Sequence, residues 1–231
     1  MVFNAHLEEL TIKHLILINP NGNSDATAIM VEQAQTVLGL GVRVMGKTNT
    51  QAPNLLATPA DMQLAKQGVL ALGLEAAQAL TGREKSSAII IAAFSDPGLL
   101  ELRTQVSIPV LGIGEAVFLE AAANHKRFSI VTITPDPELL ASFCTRVAEL
   151  GLGAQYCGAR VTQGNAQTLL VSPQLLDAAL SSTITKSIHD GAQAIILGGG
   201  PLSASADRLQ PQFDIPLLNP VAAAARAAFK D

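Results

Sequence analysis

The chain has no tryptophan, one tyrosine and two cysteines among 231 residues, and aromatic residues make up 3% of it. Rings are too few to stack bases, and a formal charge of -4 gives no basic face, so no nucleic-acid partner is expected. Charged residues are scarce at 15% while 48% of the chain is hydrophobic, which excludes a disordered or tail-like protein. Long apolar runs are missing as well. None reaches the roughly 18 residues that span a bilayer, so no membrane partner is expected. Cys144 and Cys157 cannot build a disulfide scaffold, and the segment from Met1 to Leu15 carries Glu8, Glu9 and Lys13 without a signal-peptide core. Together these predict a reducing, cytoplasmic setting. Both thiols read as buried and inert, Cys144 beside Phe143 on the packed side of a helix and Cys157 within a strand. His6, His14, His125 and His189 are scattered without ligand spacing, so no metal is expected. Gly198-Gly199-Gly200 lacks the spacing of a dinucleotide loop and there is no P-loop, so no nucleotide cofactor is expected either.

What the chain does have is a regular alternation of short apolar runs and longer helical ones. Strands are predicted at His14–Asn19, Val42–Gly46, Ala88–Ala93, Pro109–Gly112, Phe128–Ile133, Ala154–Val161, Ala194–Gly198 and Pro216–Asn219. Most are apolar throughout, as parallel strands covered on both faces must be. Asp61–Leu80 and Pro137–Leu150 have helical periodicity, the latter placing Leu139, Leu140, Phe143, Val147 and Leu150 on one face. The fold class expected is therefore α/β, with parallel sheets and right-handed crossovers.

The second half repeats the first. Ser87 to Ala93 aligns with Gln193 to Gly199, 106 residues on, and Ser107 to Gly112 aligns with Asp214 to Asn219 at an offset of 107. Gly39-Leu40-Gly41 and Gly151-Leu152-Gly153 each close a helix before a strand, 112 apart. Three matches in one order indicate duplication. The expectation is two pseudo-symmetric lobes, each a four-stranded parallel sheet flanked by helices, with a ligand cleft between them. Residues 1–112 plus 217–231 form the first lobe and 113–216 the second, and the last helix, Val221–Phe229, packs back on the first.

Ligands bind outside the carboxyl ends of the strands in such sheets. Those ends lead into Asn19 to Ser24, Ala93 to Asp96, Thr132 to Asp136 and Gly198 to Pro201, with Ser24, Asp96 and Asp136 placed as helix N-caps. Hydroxyls, amides and helix N-termini suit a small ligand with carboxylate or amide groups. On position alone, the candidate contacts are Asn19, Asn21, Phe94, Ser95, Thr132, Thr134, Gly200 and Pro201. The same residue types also make ordinary turns.

Five segments carry a family resemblance: Ile18-Asn19-Pro20-Asn21, Ile91 to Gly98, Ile108 to Ala116, Ile196 to Gly200 and Ile215 to Ala222. They resemble, in order and over nearly the whole chain, the Asp/Glu/hydantoin racemase superfamily, its hydantoin and allantoin racemase branch in particular. The resemblance implies a cofactor-independent isomerase that inverts a carbon next to a carbonyl, with relatives that decarboxylate malonates or isomerise maleate. It implies two cysteines, one per lobe, as base and acid. Those two positions fall on Ala93 and Gly199, neither of which can carry a proton. Three readings stay open: an enzyme of this superfamily using Ser95, Thr132, Thr134, Asp96 or Glu115, a non-catalytic binder, or a racemase made without its thiols. Homo-oligomerisation is left open as well.

Overall fold

A computed structural model describes residues 12–56, 58–198 and 202–230. Two four-stranded parallel sheets organise it. The first is built from β1 (Lys13–Asn19), β2 (Val42–Thr48), β3 (Ser87–Ile91) and β4 (Val110–Gly112), in the order β2-β1-β3-β4. The second uses β5 (Phe128–Thr132), β6 (Tyr156–Val161), β7 (Ala194–Leu197) and β8 (Leu217–Leu218), in the matching order β6-β5-β7-β8. Leu15 to Ile18, Ser87 to Ile91 and Ala194 to Leu197 are buried on both faces because helices cover each sheet on both sides, which is why these strands read as unbroken apolar runs.

The duplication holds at the level of individual pairs. Ile89 lies opposite Val110 and Ile195 opposite Leu217, which reproduces the offsets of 106 and 107. Beyond the strands, the Ala92 amide donates to the Ile18 carbonyl (2.8 Å) and the Gly198 amide to that of Val131 (3.0 Å), equivalent bonds in the two sheets. The pairing of β5 with β6 is less regular, because β6 contains one extra residue. Phe128 faces Tyr156 but Ile130 faces Ala159, and Gly158 takes up the bulge with φ 99°, where a side chain would be strained.

Helices follow the same scheme. α1 (Ser24–Leu38) and α5 (Pro137–Glu149) are capped by Asn23 and Asp136. α2 (Pro59–Ala79) and α7 (Pro173–His189) are capped by Thr58 and Ser172, each followed by a proline whose missing N–H costs nothing there. The short α3 (Leu99–Arg103), α6 (Ala166–Leu169) and α8 (Ser203–Leu209) complete the crossovers. The equivalent helices α4 (Ile113–Ala121) and α9 (Pro220–Ala227) pack on each other between the sheets. α4 sends Ile113 and Ala116 into the first core and Val117, Phe118 and Ala121 into the second. α9 returns to the first half, against α1. β8 pairs with β7, however, so a break at Leu217 would cut the edge strand of the second sheet, and the sheet runs two residues further than expected.

Aromatic residues are few but concentrated. Phe94, Phe118, Phe143, Phe128 and Tyr156 form one continuous chain of tilted and edge-on contacts, with centroids 5.2–6.0 Å apart. It joins the loop after β3 to α4, α5 and the second sheet. The thiols differ from expectation. Cys144 is exposed, because the buried stripe of α5 runs through Phe143 and Val147 and leaves residue 144 on the outer side. Cys157 is only half-buried, since β6 is an edge strand.

Candidate active site

Both sheets reverse direction of growth between their two central strands. In the first, β1 leads outward to β2 and β3 to β4, so the loops after β1 and β3 part and leave a crevice. A cavity of about 590 Å³ opens there. Asn21 and the Ala93-Phe94-Ser95 turn form one wall, Leu55, Leu56 and Met62 another, and α5 of the second half closes it with Leu139, Phe143 and Arg146. This size suits a small-molecule ligand, and the lining is mostly apolar with a few polar groups. Asp136, Glu138 and Glu149 add carboxylates against the single cation Arg146 among the described lining residues, so the wall carries a negative balance.

The structure brings together Asn21, Ala93, Phe94 and Ser95 from the expected set. The Asn21 side-chain oxygen accepts from the Asn23 amide (3.0 Å). Asn19 has a different job. It is completely buried, its NH₂ donates to the Asn23 carbonyl (2.9 Å) and the Thr27 hydroxyl (3.0 Å), and its oxygen accepts from the Asn21 amide (3.2 Å). It shapes the loop and stands behind the cavity wall. Thr132, its counterpart in the second sheet, is likewise buried and accepts from the Thr134 amide (3.3 Å), while Thr134 is exposed. Neither threonine lines this cavity. Gly199, Gly200 and Pro201 lie outside the described residues.

Two of the expected helix caps change place. Asn23, not Ser24, caps α1, accepting from the Ala26 amide at 3.0 Å, because the chain turns into helical geometry one residue earlier. Asp96 does not cap the helix that follows it. It adopts left-handed geometry (φ 47°), Gly98 occupies the N-cap of α3, and the carboxylate reaches across to α4. There it accepts from the amides of Gly114 (3.0 Å) and Glu115 (2.7 Å). Burial pushes the Asp96 carboxyl up to about 6, against the opposing pull of those two amides and of Arg146. Glu115, in the first turn of α4, pairs with Arg103 (2.7 Å) and Arg146 (3.2 Å).

Arg146 was legible only as a polar residue of an amphipathic helix. Its signal is spacing: Leu139, Ser142, Phe143, Arg146 and Glu149 recur at three and four residues and all face the cavity. No cluster of three or more His, Cys, Asp or Glu among the described residues is arranged to hold a metal ion, and no helix among them is long and apolar enough to cross a membrane.

Two duplicated parallel sheets, joined by exchanged helices and enclosing a small-molecule cavity at a strand-order reversal, define a two-lobed α/β protein of the racemase type. The chain belongs to the Asp/Glu/Hydantoin racemase family, whose model matches residues 15–228. It is 30% identical over 217 residues to a hydantoin racemase of Rhizobium meliloti, covering 93% of this chain and 87% of that one. It is 24% identical over 215 residues to a hydantoin racemase of Paenarthrobacter aurescens, covering 93% and 89%. Among solved structures it resembles an allantoin racemase from Klebsiella pneumoniae, with a TM-score of 0.79 and 27% identity over 94% of this chain and 86% of that one. Arylmalonate decarboxylase shares the fold at 14% identity and a TM-score of 0.65.

Proposed function

We propose that this chain is a hydantoin racemase-type protein whose cleft takes a small ligand with amide groups beside an acidic carbon, in the cytoplasm and without a cofactor, and in which Ala93 and Gly199 stand where the family keeps its two proton-carrying thiols. The observation that carries this reading is the place of Ala93. It lies half-buried on the cavity wall, directly after the strand end at the order reversal. The residue aligned with it by the repeat is Gly199.

The chemistry follows from what these groups lack. Inverting a carbon acid needs a proton taken from one face and another returned to the opposite face. A thiol suits both tasks, because its ordinary pKa of about 8.5 falls within reach of neutrality beside helix N-termini. A methyl group and a hydrogen do neither. Each missing acid or base forfeits roughly 10²–10⁴-fold in rate, so two-thiol inversion is closed to this chain and isomerase chemistry here falls to other groups, Ser95 on the cavity wall among them. The lining favours the neutral amide over the dianionic malonate or maleate that fold relatives take, since three carboxylates face one arginine. The apolar wall of Leu55, Leu56, Met62, Phe94 and Phe143 would hold the ligand's substituent.

The experiment is restoration. The double variant Ala93→Cys/Gly199→Cys should racemise a 5-substituted hydantoin and exchange its α-proton in deuterated buffer faster than the unaltered chain, while each single variant exchanges without efficient inversion. A double variant that binds hydantoin and exchanges no proton overturns the assignment of these positions. Exchange by the unaltered chain would move the chemistry to another group on the wall, such as Ser95.

A further inference from the structure

We infer that Asp96 and Arg146 form a latch between the two halves of the protein, and that Asp96 is the positioning residue for the Ala93–Asp96 turn on the cavity wall. The inference rests on the reading above only in taking this turn as part of the site. An ordinary cap lies next to its own helix. Asp96 instead serves amides 18 and 19 residues downstream, so its carboxylate ties two separate segments together.

Three features make the tie specific. The turn is closed by its own backbone, with the Asp96 amide donating to the Ala93 carbonyl (3.0 Å) and the Asp96 carbonyl accepting from Leu99 (3.2 Å). Moving the carboxylate therefore moves the backbone that carries residues 93–95. Next, the carboxylate sits in a cradle that only glycine leaves open. A Cβ on Gly112 would collide with the Asp96 carboxyl carbon, and one on Gly114 would collide with the Phe94 carbonyl. Finally, the second half reaches in. Arg146 of α5 holds its guanidinium 3.5 Å from the Asp96 carboxylate and 3.2 Å from Glu115, and lines the cavity itself. Its other contacts are Glu149 of the same helix (3.1 Å) and, through Glu115, Arg103 of α3.

The groups facing Asp96 are thus two α4 amides, Glu115, and Arg146 with Glu149 behind it. Of the facing side chains, Arg146 is the one that favours the ionised carboxylate. With Asp96 charged, α5 is drawn onto the turn. Once Asp96 is protonated, an oxygen that accepted from α4 carries a proton, and the attraction for Arg146 is lost. Burial has already brought that change within reach of mild acid. The Asp96–Arg146 attraction is accordingly the part of the latch that titrates on the acid side of neutrality, while the buried seat, which favours the protonated acid, stays closed.

The test uses the full ¹⁵N-labelled chain without ligand, so it does not depend on whether any proton is transferred at residue 93. In the unaltered protein, the amides of Gly114 and Glu115 and those of Ala93, Phe94 and Ser95 should shift together through one midpoint between mild acid and neutrality. D96N should abolish the titration in both segments while the far-ultraviolet circular dichroism stays native. R146Q should move the shared midpoint up by about one pH unit, since the cation favouring the carboxylate is gone. Should D96N fail to fold, R146Q decides alone: a common upward shift supports the latch and a fixed midpoint refutes it. Titration of Gly114 and Glu115 with Ala93–Ser95 unmoved reduces Asp96 to a helix cap and overturns the proposal.

Discussion

Phe118 meets Phe94 edge-on, with ring centroids 5.3 Å apart and planes at 68°. The contact fastens α4, the helix that leaves the first sheet, to the loop that forms the cavity wall, while the far side of Phe118 rests 6.0 Å from Phe128 in the second core. One fully buried ring therefore serves both halves.

Its removal should be costly. Phe118→Ala is expected to destabilise the chain by about 3–5 kcal/mol, the range for deleting a buried aromatic side chain. For a protein of this size that corresponds to a fall in Tm of roughly 6–20 °C. Thermal unfolding followed by circular dichroism checks it, and a change under about 1 kcal/mol would mean that the cluster collapses around the gap.

Asn19 is expected to behave as a structural residue. Asn19→Ala strands the Asn21 amide and removes one donor each from the Thr27 hydroxyl and the Asn23 carbonyl, and should cost about 1–3 kcal/mol in urea unfolding whether or not ligand is present. Asn21→Ala, at a residue that lines the cavity, should weaken ligand binding with a smaller effect on stability. Equal stability losses at the two positions would contradict this division.

Space at the start of α4 can be probed directly. Gly114→Ala places a methyl against the Phe94 carbonyl, a backbone atom that cannot swing aside, and should cost about 1–3 kcal/mol. Gly41→Ala, where nothing lies within 4 Å, should stay within about 0.5 kcal/mol. Denaturation of the pair side by side gives the answer.

Stability should depend on pH through Asp96. Its folded carboxyl titrates at about 6 against an ordinary 3.8, so the folded chain holds this proton more tightly than the unfolded one. The associated stabilisation is complete below the ordinary value and is lost as pH rises through about 6. Relative to the unaltered protein, D96N should therefore gain on the order of 2–3 kcal/mol between pH 4 and pH 7. Urea unfolding across that interval measures it, and a difference flat in pH would place Asp96 at its ordinary value.

Family and fold could be read from the chain because both rest on local, repeated information. A strand buried on both faces must be apolar throughout, so Ala88 to Ile91 and Ala194 to Leu197 declare themselves without any partner in view. The glycine, proline and cap residues that end helices act within a few positions, and the offsets of 106 and 107 survive as sequence matches. Crevice position followed as well, since loops after central parallel strands have nowhere else to part.

Roles within the crevice could not be read this way. Asn19 and Asn21 are two residues apart and of one type, yet the first is spent inside the loop and the second lines the cavity, a difference made by Thr27 and by the depth of the strand end. Asp96 carries the ordinary marks of a cap for the next helix. Only the approach of α4, through Gly112 and Gly114, gives its carboxylate another destination. Arg146 enters the site because the second half folds against the first. The sequence by itself determined which segments become strands, where the chain doubles and which residues stand at positions 93 and 199. Tertiary structure alone decided what those segments touch, because hydrogen bonds and ion pairs between distant elements depend on how helices cross, and no local pattern encodes that.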